Sequence, residues 1–183
     1  MSIKVTFEIS DADLKYFRAV MRDARKKAKT LDEAEILSAA RKLARSTSDL
    51  KLPDFVSERL QSLDTLTRMI EDPEWNMQGE HRARVIQALA YFAEPCDLIP
   101  DQIPGLGFLD DAIMVELVVQ ELSPEIEAYD AFCGYRKEQR AKRGADVVAN
   151  AEALEKQRRQ MYARMERRRE TRERRGGAFS IFR

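Results

Sequence analysis

Four aspartates fall within fifteen or so residues, Asp97, Asp101, Asp110 and Asp111, with Glu94 just ahead of them. Carboxylates converging on one connector are oxygen ligands of the kind that hard cations such as Mg²⁺ or Ca²⁺ require. The spacing is no EF-hand, and no His or Cys pattern accompanies it for a transition metal. The same side chains have a structural use. Asp97 and Asp101 can accept backbone N–H bonds in Asx-type turns, and Asp110 or Asp111 can cap a following helix and favour its positive end. The structural use is the expectation: no metal and no cofactor, with Asp97, Asp101, Asp110 and Asp111 as the ligands were a cation to bind.

A second set of residues could bind polyanions. Residues 155–175 read "EKQRRQMYARMERRRETRERR", with arginine in excess over glutamate. Arginine excess on a helix suits phosphate contact, with Arg158, Arg159, Arg164, Arg167, Arg168, Arg169 and Arg172 as the candidates. The ligand would be nucleic acid or an anionic membrane surface, the latter helped by the apolar "FSIF" at residues 179–182. The plainer alternative is a solvated helix laced by i,i+4 ion pairs.

Catalytic patterns are missing. The chain has no GxxxxGK, GxSxG, HExxH or SxxK, and "GLGFLDD" lacks the third glycine and the preceding strand of a dinucleotide fingerprint. His81 is the single histidine and reads as a surface or capping residue. Cys96 has no evident histidine partner, and its acidic neighbours disfavour the thiolate. No enzyme is expected.

The elements that must carry these groups are mostly helical. Gly and Pro number only 7 and 6 in 183 residues, and 35% of the chain is charged. Formal net charge is zero, but residues 71–130 are strongly acidic while the stretches before and after are basic. Such opposed segments attract within a chain or between chains. Val5, Phe7 and Ile9 alternate with Lys4, Thr6 and Glu8, which predicts a short N-terminal strand. Ser10 and Asp13 then form a variant capping box for a first helix, with Leu14, Phe17, Val20, Met21 and Ala24 on its apolar face. Thr30 is read as the cap of a second helix over 31–45, with Ala34, Leu37, Ala40 and Leu43 inward. A third helix spans 53–71, with Phe55, Val56, Leu60, Leu63, Leu66, Met69 and Ile70 as its stripe. Helices over 82–93 and 109–122 flank the aspartate-rich connector. A sixth begins near Ser123 and Pro124, and a long basic helix covers 146–175. Strand-then-two-helices resembles a ribbon–helix–helix, which implies dimeric DNA binding through Lys4, Thr6 and Glu8, although Glu8 suits a groove poorly.

The connector also resembles a known family. "YFAEPCDLIPDQIPGLGFLDD", residues 91–111, places Pro95, Asp97, Leu98, Ile99, Pro100, Asp101, Pro104, Gly107, Asp110 and Asp111 as the YkvA-like domain of unknown function (DUF1232) does. The resemblance covers about residues 75–125. It implies a helical hairpin with a structured connector, and it brings no established activity. Some relatives are membrane-associated, and this chain departs from them in its charges and in having no membrane span.

The expected fold is therefore mainly α: a multi-helix bundle with a short N-terminal β-strand, a central helical hairpin with a Pro/Gly/Asp connector, and a long basic C-terminal helix. The expected division is 1–72 (strand plus helices), 73–144 (hairpin domain) and 145–183 (basic helix and loose tail). Two cysteines without a CxxC motif and the lack of a signal-like N-terminus point to the cytoplasm. The expected function is a non-enzymatic interaction or scaffolding protein whose charges drive self-association or binding of a partner. Nucleic-acid binding and peripheral membrane binding through the last helix are the alternatives.

Overall fold

The computed structural model describes residues 8–27, 30–47, 50–93, 98–103, 106–143 and 151–174. Seven α-helices are found among them: α1 (Asp11–Lys27), α2 (Glu33–Ser46), α3 (Asp54–Glu71), α4 (Gly79–Leu89), α5 (Leu109–Glu121), α6 (Ser123–Arg143) and α7 (Ala151–Arg174). A 3-10 turn, Ala90–Ala93, extends α4 toward the connector.

The expected N-terminal strand is corrected. No β-strand occurs among the described residues, and Glu8, Ile9 and Ser10 lead without regular structure into α1. Residues 1–7 lie outside the described residues. Alternating residues make a strand only when a second strand takes up the backbone N–H and C=O groups. The described chain offers helices alone. The ribbon–helix–helix likeness loses its strand with this correction.

Local signals explain the helix starts. Ser10 and Asp13 form the expected capping pair: the Ser10 N–H donates to Asp13 at 2.9 Å and the Asp13 N–H donates to Ser10 Oγ at 3.3 Å. For α2 the cap is Asp32 rather than Thr30. Asp32 Oδ1 accepts from the Glu35 N–H at 2.7 Å, and Glu35 accepts from the Asp32 N–H at 2.9 Å, a reciprocal capping box.

One buried cluster runs through the bundle, from Met21 and Ala24 of α1 to Met165 of α7. All three segments expected from the sequence contribute to it. α3 supplies Val56, Leu60, Leu63, Leu66, Met69 and Ile70, and packs between α2 and α5. Its helical spacing places these on one side, while Phe55 is 40% exposed and outside the stripe. Ala34 of α2 also faces out, and Ile36 takes an inward place beside Leu37 and Ala40. α5 is buried nearly all round, including Asp110 and Asp111 in its first turn. α6 packs along α7.

Candidate functional site

The connector is held by an aspartate in the first turn of α5. Asp110 is 2% exposed, and its Oδ2 accepts the N–H groups of Leu98 at 2.7 Å and Ile99 at 3.1 Å. A carboxylate taking two backbone donors is a strong charge-assisted clamp. The expectation that Asp110 or Asp111 caps α5 is corrected. The N-cap position is Phe108, in the left-handed region at φ 66°, and it makes no side-chain cap bond. Asp110 and Asp111 lie inside the first turn and face the protein interior.

Gly107 completes the turn. Its N–H donates to the Ile103 carbonyl at 2.8 Å, and the Ile103 N–H donates to the Pro100 carbonyl at 3.0 Å. A Cβ at Gly107 would lie 2.2 Å from the Asp101 carbonyl oxygen, so only glycine lets the two strands of the loop touch. Leu98, Ile99 and Asp101 are half-buried, while Ile103 and Leu106 are exposed. Pro95, Asp97 and Pro104 lie outside the described residues. Among the described residues no three His, Cys, Asp or Glu side chains converge as metal ligands. One carboxylate oxygen of Asp110 is already committed to the backbone.

The acidic partners of the last helix stand on the loop between α3 and α4 and on α4 and α6. Asp72 organises that loop by accepting the N–H groups of Glu74 at 2.9 Å and Trp75 at 3.2 Å. Arg136 of α6 reaches Asp72 at 2.7 Å and Glu74 at 2.6 Å, and Tyr129 Oη donates to Asp72 at 3.1 Å. Burial alone would raise the Asp72 carboxyl, but the Trp75 N–H and the Arg136 guanidinium outweigh it and hold it below the usual carboxylate range. Burial likewise works against the Arg136 charge, and Glu74 and Asp72 overcome it, leaving the guanidinium above its ordinary value. These ties fix Trp75, which is wholly buried. Tyr162 of α7 stacks on it, and His81 of α4 lies 5.4 Å from the Tyr162 ring. Burial pushes the Tyr162 phenol up to about 12.

α7 is docked on this acidic wall by a thin apolar stripe and several arginines. Met165 is buried, and Leu154, Met161 and Tyr162 are partly so. Arg158 donates to the Glu74 carbonyl at 3.3 Å. Arg169 pairs with Glu80 at 2.6 Å, and Arg168 pairs with Glu127. Arg172 donates to the Gln120 carbonyl and to Ser123 Oγ. His81 Nε2 lies 3.3 Å from Glu166, and Arg159 pairs with Glu155 along the helix. The opposed charges of the middle and the end of the chain thus meet inside one molecule. Charge asymmetry in the sequence indicated attraction; it did not single out Glu74, Glu80 or Glu127 as the partners.

The outer face of α7 remains. Gln160, Arg164, Arg167, Arg168, Thr171 and Arg172 recur along α7 at spacings of three and four and border an open hollow of about 650 Å³, with Arg168 and Arg172 also reaching back to the bundle. Arg164 and Arg167 are exposed, and neither guanidinium has a hydrogen-bond or ion-pair partner among the described residues. By its length α7 spans about 36 Å, so these cations form a ridge rather than a point. The seven candidate arginines therefore divide. Arg158, Arg168, Arg169 and Arg172 hold the helix to the bundle, Arg159 pairs within the helix, and Arg164 and Arg167 are left to solvent.

Comparison with known proteins adds two findings. A family profile described as "Protein of unknown function (DUF1232)" matches residues 81–117, which take in α4, the connector and the first part of α5. The "Uncharacterized membrane protein YkvA" of Bacillus subtilis (strain 168) is 32% identical over 77 residues, covering 39% of this chain and 71% of that relative. No solved structure matches the chain. None of the described helices is long and apolar enough to cross a membrane. The family profile falls on the hairpin clamped by Asp110 and closed by Gly107, and the chain belongs to the YkvA-like DUF1232 family.

Proposed function

We propose that this protein is a non-enzymatic docking module that attaches peripherally to an anionic membrane surface through the outer face of α7, and so presents its helical bundle to a protein partner or a second copy. The observation that carries the reading is the pair Arg164 and Arg167, exposed on that face with no partner for either guanidinium among the described residues. Each arginine near an anionic leaflet contributes about 1 kcal/mol of attraction. The neighbouring pairs Arg168–Glu127 and Arg169–Glu80 are partly exposed, and pairs of that kind are worth about 1 kcal/mol or less, so a dense anionic surface can recruit those arginines as well. The name of the Bacillus subtilis relative, a membrane protein, supports the same direction. The cytoplasmic leaflet is the anionic one, and the free thiol of Cys133 accords with that side. Docking of α7 on its own acidic wall favours a surface ligand over self-association driven by charge alone.

Flotation of the full chain tests this with vesicles of phosphatidylcholine alone or mixed with phosphatidylserine. Association with the anionic vesicles only, weakening as salt rises, is the expected result. Arg164→Gln with Arg167→Gln should lower the partition roughly thirty-fold, the equivalent of about 2 kcal/mol. Equal flotation with neutral vesicles, or none at low salt, sinks the proposal. A duplex mobility shift under conditions where no vesicle is bound would hand the face to nucleic acid.

A further inference from the structure

We infer that the crevice between α6 and α7 is a binding site for an anionic phospholipid, with the phosphate on Arg164 and Arg168 and the first methylenes of one acyl chain between the helices. This rests on the membrane reading above and gives it a ligand class. The crevice has a volume of about 140 Å³ and is lined by Pro124, Ala128, Ala131 and Met161, with the two arginines and Glu127 around it.

Ala128 and Ala131 are one turn apart on α6, and their small side chains leave the gap that a longer residue would fill. The volume equals that of about four or five water molecules; its alanine, proline and methionine walls give water few partners, while Glu127, Arg164 and Arg168 supply the polar part of the lining. Such a space favours methylene groups. At the edge the chemistry changes sharply. Arg164 and Arg168 are four residues apart, so their Cβ atoms stand about 6 Å from each other on one side of the helix. Two guanidinium groups at that spacing suit the oxygens of one phosphate. Arg164 is exposed and has no partner among the described residues. Arg168 is held by Glu127 in an exposed pair that a lipid phosphate can displace. An apolar slot beneath a pair of cations matches a molecule that is itself half apolar and half anionic.

Calorimetric titration of the full chain decides it, with dihexanoyl phosphatidic acid below its aggregation concentration, inorganic phosphate and dihexanoyl phosphatidylcholine as the probes. Saturable binding of one phosphatidic acid is expected, at least about tenfold tighter than inorganic phosphate, with no heat from phosphatidylcholine. Ala131→Leu fills the slot at a half-buried position. It should weaken phosphatidic acid about tenfold and leave inorganic phosphate unchanged, with circular dichroism verifying the fold. If that variant misfolds, the three probes on the unaltered chain still give the answer. Equal affinity for phosphate and phosphatidic acid overturns the lipid site. So does a leucine-containing acidic peptide that binds where no lipid does. If the unaltered chain floats with anionic vesicles while phosphatidic acid gives no heat, this inference fails and the membrane reading stands; without flotation the membrane reading itself fails.

Discussion

The Tyr162 ring lies on the Trp75 indole with centroids 4.6 Å apart and planes 14° from parallel, so the last helix is stacked on the single tryptophan of the chain. Trp75 is fully buried, and its emission therefore reports whether α7 is docked. Tyr162→Ala should shift that emission to the red and cost about 2 kcal/mol in urea unfolding, less than a full core aromatic because Tyr162 is only partly buried. Tyr162→Phe should be neutral or slightly stabilising, since the Tyr162 hydroxyl is buried with no hydrogen-bond partner among the described residues. Unchanged emission in Tyr162→Ala would refute the docking.

Gly107 and Gly134 make opposite predictions. Alanine at 107 would thrust a Cβ against the Asp101 carbonyl, and something must move. A loss of about 2 kcal/mol or more is expected. Gly134 sits within α6 with nothing within 4 Å of an added Cβ, so Gly134→Ala should gain up to about 1 kcal/mol from helix propensity. Chemical denaturation of both variants is the check, and similar shifts of the same sign would contradict the connector geometry.

Asp110 is predicted to matter for stability through its backbone clamp. Asp110→Ala leaves the Leu98 and Ile99 N–H groups without their acceptor and should cost about 3 kcal/mol. Asp110→Asn keeps one acceptor oxygen and should cost less. Amide hydrogen exchange at Leu98 and Ile99 should rise in both, more steeply in the alanine variant.

Asp72 predicts an acid limit to stability. Its carboxyl is held below the usual range in the folded protein, so the folded state favours the ionised form. A depressed folded value gives stability that is fully present above the unfolded carboxylate pKa, about 4, and is lost as pH falls through the folded value. Urea midpoints measured from neutral pH down to about 3 should fall in the unaltered chain. In Asp72→Asn the midpoint at neutral pH should start lower and the acid decline should be shallower. Parallel decline in the two proteins would remove Asp72 as the cause.

Much of the architecture was legible because helix periodicity and capping are local. Leu60, Leu63 and Leu66 mark the inner face of α3 by spacing alone, and Ser10 with Asp13 marks the start of α1. Where local signals were ambiguous, context chose. Asp32 displaced Thr30 because Glu35 stands three residues on and completes the box. The alternation around Val5 and Phe7 carried no information about a partner strand, and among the described residues there is none.

The sequence by itself determined the helical class, the connector between two apolar helices, and the presence of an acidic middle beside a basic end. Only tertiary structure decided which charges meet and which are left over. Arg169 finds Glu80 across 89 positions, and Tyr162 finds Trp75 across a comparable distance, through the packing of α7 against α4 and α6. The same holds for Asp110, whose place at the start of a helix reads as a cap until the connector folds back and presents two N–H groups to it. Helical spacing depends on neighbours three and four residues away. Pairing between helices depends on the angle and depth at which whole elements pack, and no short window of sequence contains either.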